Sequence, residues 1–207
     1  MKLYTTDRAP NPRAAENIIA IKGMDIEKVM IDLNGGENRG DDFLARNPAG
    51  QLPALETDDG QIIAEVAAIA EYLEEVKPDP VLVGNNAAER AHTRMRMRQV
   101  DYLVLAPMMY GFRNSEGAAF FESRMRIQPE IGAPMKLNAA DGLAWLDTQI
   151  AGQDFICGDA LRYVDCVFYP LVAMLSKVSQ PIDPELKNIT AYMQRLSAHE
   201  IIGAKSL

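Results

Sequence analysis

Few residues in this chain carry reactive chemistry, so their placement is informative. The two cysteines, Cys157 and Cys166, lie far from the N-terminus and form no C-x-x-C pair. Neither a disulfide framework nor a dithiol redox site is suggested, and both read as plain buried thiols. His92 and His199 are the only histidines, with no metal-ligand spacing around either. A zinc site or a His-based triad has too little to draw on, no metal is expected, and both read as surface helix residues. In place of a nucleophile, the segment TTDRAPNPRAA (5–15) offers a helix start, since Asn11 followed by Pro12 makes an N-cap and N1 pair. The free amides of such a start favour an anion placed over them. Asn11 therefore reads either as the cap or as a polar contact to that anion, and the two compete, because a capping side chain occupies the same donors. Further along, Tyr102, Met108, Met109, Tyr110 and Phe112 share one helical stretch. They are either plain core or the adaptable apolar wall of a pocket. Pro107 is expected to kink that helix, with Arg113, Asn114 and Ser115 adding polar groups at its end.

The elements that position these residues change character along the chain. KLYTT (2–6) reads as a strand, Pro12 to about Lys22 as a helix, EKVMIDL (27–33) as a strand and Asp41–Arg46 as a short helix. LPALE (52–56) and QIIA (61–64) flank an Asp-Gly turn, a hairpin signal, and a helix over Glu65–Val76 follows. This order matches the thioredoxin-like pattern of a small mixed sheet flanked by helices. The proline-rich KPDPVLVG (77–84) breaks it, and helices are expected near Ala87–Phe112, Ala119–Ile127, Pro134–Ile150, Val164–Val178 and Pro184–Leu196. At 207 residues and 48% hydrophobic content the chain is long enough for one large or two small domains with a real core. Residues 1–80 hold 8 Lys and Arg against 16 Asp and Glu, while 81–207 hold 13 of each, so the whole net charge of −8 sits in the first segment. That surface repels nucleic acid and anionic membrane. No apolar run is long enough to span a bilayer and no signal-peptide pattern opens the sequence, so the cytoplasm is the expected compartment.

Four motifs then carry a resemblance to cytosolic glutathione transferases over nearly the whole chain. NPAGQLPAL (47–55) is similar to the family's N-P-x-G-x-V-P-x-L, and IIAEVAAIAEYLEE (62–75) to its L-x-E-S-x-A-I-x-x-Y-L. FICGDALRYVDCVFYP (155–170) resembles F-x-x-G-x-x-x-[ST]-x-A-D, the capping box of a buried helix. The loop 5–15 has P-x-P before its helix and no Tyr, Ser or Cys after Tyr4. In this it resembles a fungal and bacterial branch that lacks such a catalytic residue.

The resemblance implies a thioredoxin-like glutathione-binding domain over 1–76, a linker over 77–86, and an all-helical domain over 87–207 that forms the hydrophobic substrate site. It implies a cis bond before Pro53, with Leu52 pairing by main chain with the cysteinyl part of glutathione. Arg39 and Gln51 fall near the glycine carboxylate, Glu65 and Val66 at the γ-glutamyl end. Asp101 would reach the γ-glutamyl ammonium of the neighbouring subunit in a homodimer. The thiolate falls to the N-terminus of the first helix, with Asn11 and Arg13 there, because a free thiol with a pKa of about 8.5 is mostly protonated at neutral pH. Tyr102, Met109, Tyr110, Arg113 and Asn114 fall to the pocket of a small hydrophobic electrophile. The implied activity is glutathione transfer for detoxification, with glutathione as co-substrate. The same cleft suits lyase, dehalogenase or isomerase chemistry, or a binding module that has lost catalysis. Two departures stand out. Val66 replaces the family's serine and removes a hydroxyl donor, and Arg162 stands where the capping Ser or Thr belongs, at a cost of about 1 kcal/mol.

Overall fold

The computed structural model describes residues 1–7 and 9–204. Strands β1 (Lys2–Thr5), β2 (Glu27–Met30), β3 (Ala54–Glu56) and β4 (Ile62–Ala64) form one sheet in the order β2-β1-β3-β4. β1 and β2 are parallel, from Lys2↔Glu27 to Thr5↔Met30, so their connection must cross over the sheet, and α1 (Pro10–Ile21) does so. β3 runs antiparallel to both β1 and β4, joined to the latter by the expected Asp-Gly hairpin. Alternation along β1 sends Leu3 to one face and Tyr4 to the other. On Leu3's face, α1 and α3 (Val66–Val76) bury Ala14, Ala15, Ile18, Ile69 and Leu73. On Tyr4's face, the short α2 (Asp41–Arg46) supplies Phe43, whose ring meets Tyr4 edge-on at 6.0 Å. The fold is thus a thioredoxin-like domain with a four-stranded mixed sheet, followed by a helical domain.

The helical part runs α4 (Ala87–Val100), a π-helical turn (Asp101–Leu105), α5 (Ala106–Arg113), α6 (Ala118–Phe121), α7 (Pro129–Gln149), α8 (Tyr163–Val178) and α9 (Lys187–Ala198). Pro107 cannot donate to the carbonyl of Leu103, and the chain absorbs this by widening into the five-residue π turn. That same carbonyl presses on α7, where a β-carbon at Gly142 would lie 2.0 Å from it. Among the described residues no helix is long and apolar enough to cross a membrane.

Several boundaries differ from the sequence expectation. α1 starts at Pro10 instead of Pro12. β2 ends at Met30, short of Leu33, and the helix expected over 119–127 shrinks to α6. α7 starts at Pro129, and Pro134 sits inside it and forgoes one bond; α9 starts at Lys187, after a turn at Asp183–Leu186.

Two buried carboxylates tie the parts together. Glu74 on α3 accepts from Lys22 Nζ at 2.7 Å and from the N–H groups of Leu82 and Val83 at 3.0 and 2.9 Å. Lys22 also donates to the carbonyls of Lys77 and Pro80, so the linker is clasped onto α1 and α3. Burial pushes the Glu74 pKa up, but these bonds outweigh it and the net direction is down. Asp165, at the third position of α8, accepts from Arg162 N–H at 2.8 Å, Ile156 N–H at 3.0 Å and Tyr192 Oη at 2.8 Å. Among the described residues no cation joins it, and burial raises its carboxyl to about 6. Arg162 has no acceptor to offer as a cap. Its guanidinium instead reaches Val81 O at 3.1 Å and Glu89 at 3.2 Å, which stitches α8 to the linker and α4.

Candidate functional site

A cleft separates the N-terminal ends of α1 and α3 from the face of α5. It holds two cavities, of about 740 and 500 Å³, whose walls share Asn11, Met109, Tyr110 and Arg113.

The first turn of α1 is unusual in its donors. Its first and third positions are Pro10 and Pro12, which have no N–H, and the Arg13 N–H already bonds Ala9 O at 3.3 Å. The main-chain N–H of Asn11 is therefore the single donor that these three leading helical positions can aim at a ligand. Asn11 is not the cap expected from sequence: Ala9 holds that position with no side-chain bond, and the Asn11 side chain is exposed on both cavities. Arg13, expected at the thiolate, lines neither cavity. Two residues beyond Asn11 it points to another side of the helix and approaches Glu16 at 3.6 Å. Glu16 also accepts from Thr5 and Lys28 at 2.8 Å each.

The start of α3 faces the larger cavity with Glu65 and Val66. Glu65 is the one non-glycine among the described residues with a positive φ, 69° with ψ 125°. Such backbone is strained and survives only where its surroundings dictate it. Val66 is 7% exposed and its side chain belongs to the main core, so its contribution at the cavity is its N–H.

The loop before β3 is held by amides. Asn38 Nδ2 donates to Gly50 O at 2.7 Å and Asn47 Nδ2 to Gln51 O at 2.8 Å. Gly50 has φ 60°, and a β-carbon there would lie 2.9 Å from the main-chain carbonyl of Asn38, so glycine is favoured on both counts. The Leu52–Pro53 peptide is cis. Among the described residues nothing bonds the N–H or C=O of Leu52, which lines the smaller cavity with Gln51 and Arg39. Arg39 donates to Ala49 O at 3.2 Å and is otherwise exposed.

The opposite wall comes from α5 and the segment after it. Met109, Tyr110 and Arg113 face the cleft as expected, but Tyr102 and Asn114 do not. Tyr102 lies within the π turn, at its second position. It is 66% exposed beside Trp145 on the outer face, with the Arg98 guanidinium over its ring at 5.4 Å. Asn114 is a buried fastener that donates to Tyr110 O and accepts from Gln128 N–H at 2.7 Å. Asp101 lines the larger cavity and pairs with Arg98 at 3.2 Å. Sequence reading missed Phe120, Phe121, Arg124 and Met125, which complete the smaller cavity. Two adjacent phenylalanines beside an arginine, in a stretch too short to bury them, were the available signal. Arg124 donates to Leu33 O across the cleft and lies 4.3 Å over the Phe120 ring. Neither cysteine competes as a nucleophile, since burial pushes the Cys157 thiol up to about 12 and Cys166 well above its ordinary value.

Residues 1–75 match the family described as glutathione S-transferase, N-terminal domain, and residues 133–195 match glutathione S-transferase, C-terminal domain. Glutathione S-transferase 2 of Saccharomyces cerevisiae is 27% identical over 198 residues, 95% of this chain and 85% of that protein. A maleylacetoacetate isomerase of Pseudomonas aeruginosa is 40% identical over 96 residues, 45% of each. The crystal structure of a glutathione S-transferase domain-containing protein from Marinobacter aquaeolei is 30% identical, with a TM-score of 0.91 over 98% of this chain and 100% of that one. With both halves matched in order and a relative aligned from end to end, this chain belongs to the glutathione S-transferase superfamily.

Proposed function

We propose that the protein binds glutathione along the cleft and joins it, through its sulfur, to an electrophilic carbon of a small apolar substrate. One observation carries this reading: the unbonded main chain of Leu52, the Val66 N–H, the Asn11 N–H and Arg39 all open on two cavities that meet at Met109, Tyr110 and Arg113. In this reading the glycine carboxylate meets Arg39 and Gln51, and the cysteinyl unit pairs with Leu52 beside Pro53. Glu65 and Val66 hold the γ-glutamyl end, joined by Asp101 of the partner subunit in a cytoplasmic homodimer.

Magnitudes favour ionisation without a hydroxyl donor. A hydrogen bond to a charged acceptor is worth about 1.5–3 kcal/mol, and one pKa unit about 1.4 kcal/mol. The Asn11 N–H together with the helix dipole is therefore enough to bring a thiol from about 8.5 to near neutrality. The thiolate forms the C–S bond as the leaving group departs with its electron pair; the thiol proton has already gone to solvent. The protein supplies ionisation and proximity.

The isomerase stretch favours a second reading, in which the thiolate adds, the adduct rotates and the thiolate leaves again, so that glutathione is regenerated. Calorimetric titration with glutathione, followed by assays with aryl halides and with a cis double bond conjugated to a carbonyl, tests the proposal. Binding with stoichiometric loss of glutathione supports transfer, turnover without loss supports isomerisation, and no binding at millimolar ligand removes both.

A further inference from the structure

We infer that the second substrate carries a carboxylate, or an anion of like geometry, and that Arg113 receives it. This rests on the glutathione reading above and names the substrate class of the same site. The chain carries a net charge of −8, yet no described Asp or Glu lines the smaller cavity, whose charged lining residues are Arg39, Arg113 and Arg124. Two of these have occupations. Arg39 stands with Gln51 at the end assigned to the glycine carboxylate, and Arg124 is engaged with Leu33 O and the Phe120 ring.

Arg113 has neither. Among the described residues it makes no ion pair, its buried Nε has no hydrogen-bond partner, and its guanidinium sits 5.1 Å over Phe121. The acids on the larger cavity do not serve it: Glu71 is bonded to Arg94 at 2.6 Å, Asp101 to Arg98, and Glu65 lies beyond ion-pair reach. Desolvation lowers its pKa, but a guanidinium stays charged at neutral pH. A half-buried guanidinium whose Nε is shut from solvent and which has no counter-ion among the described residues leaves its charge for a ligand to meet.

Arg113 lines both cavities with Asn11, opposite the first turn of α1 where the sulfur is placed. Both carboxylates of glutathione already have receivers, at Arg39 and at α3. The missing anion therefore comes with the electrophile, whose apolar body lies against Met109, Phe112 and Phe121. The planar fork of a guanidinium suits a carboxylate held by two bonds.

The test uses stable thioethers, so that no particular chemistry is presumed: S-(4-carboxybenzyl)glutathione, its 3-carboxy isomer and S-(4-carbamoylbenzyl)glutathione, titrated into the wild type. At least one carboxylate is expected to bind about tenfold tighter than the amide, a difference of about 1.4 kcal/mol. That ratio falls to near one in Arg113→Met and is partly kept in Arg113→Lys. A wild-type ratio of one or less, with the thioethers bound, overturns the inference and leaves glutathione binding intact. Failure of glutathione and all three thioethers to bind removes the function reading and this inference together. An Arg113→Met protein of unchanged melting temperature that keeps the ratio also overturns it. The wild-type comparison needs no variant, so a misfolded mutant leaves the test standing.

Discussion

The thioredoxin-like wall of the cleft turns main chain toward the two cavities, at Asn11, Leu52 and Val66, whereas the helical wall lines them with side chains, at Met109, Tyr110, Phe112, Arg113 and Phe121. The first wall is set by the sheet, by the Asn38 and Asn47 amides under the 47–52 loop, and by a strained Glu65 that its neighbours hold in place. Its geometry survives most side-chain exchanges but fails if the backbone moves. The second wall is a lining on α5 and the α6 segment, so single substitutions there reshape what fits. A constant ligand portion can be read by constant backbone, and a variable portion by replaceable side chains.

The largest effect expected is on what holds the walls together. Glu74→Ala leaves Lys22 buried without its counter-ion and should cost about 3–5 kcal/mol, measured by urea unfolding at pH 7. Because the folded pKa of Glu74 lies below its ordinary 4.5, the stability from its ionised form is full above that value and is lost as pH falls through the folded one. The gap between wild type and Glu74→Gln should therefore narrow from pH 7 toward strong acid. A gap that stays constant would mean the clasp does not depend on the charge.

Val66→Ser tests whether the first wall works by backbone alone. A hydroxyl over the α3 start should tighten glutathione roughly tenfold, the low end of a charged hydrogen bond. Because Val66 packs in the core, the same change should lower stability by about 1–2 kcal/mol. Unchanged affinity in the folded variant would place the γ-glutamyl carboxylate elsewhere. Glu65→Gly should stabilise the protein by about 1 kcal/mol, since relief of 1–3 kcal/mol of strain exceeds the extra unfolded-state entropy of glycine. It should also weaken glutathione binding through loss of the carboxylate, so a fall in stability would argue against the strained geometry. The smallest effect sharpens the second wall: Tyr110→Ala should raise the KM of the electrophile several-fold while Tyr102→Ala leaves it alone. Equal effects in steady-state assays would show that the π turn does not divide them.

The order of strands and helices was legible because it follows from local signals: the Asp-Gly turn, the proline-rich 77–84 and the helical periodicity beyond it. Leu52, Pro53, Glu65 and Val66 were legible through the motifs around them. Their places in the backbone around the cavities follow from position along the chain, and the motifs preserve that. The register of α1 was not, because Pro10 and Pro12 can each open a helix, and the Asn before Pro12 pointed to the later start. Tertiary packing chose Pro10, which turned Asn11 from cap to donor and Arg13 away from the cleft.

Side-chain direction was decided only in three dimensions. Tyr102 and Tyr110 are equivalent in sequence character and both border the outer groove beside Trp145, but on either side of the π turn's end only Tyr110 also reaches the cleft. Lys22 and Glu74, 52 residues apart, carry nothing in the sequence that marks them as a buried pair. The solitude of Arg113 is likewise invisible in a list of residues. The sequence by itself determined the two-domain layout and the main-chain half of the cleft, since propensity and turn chemistry act within a few residues. Burial, pairing and facing depend on contacts between residues tens of positions apart, so the tertiary structure alone settled which charges are paired and which side chains line the second wall.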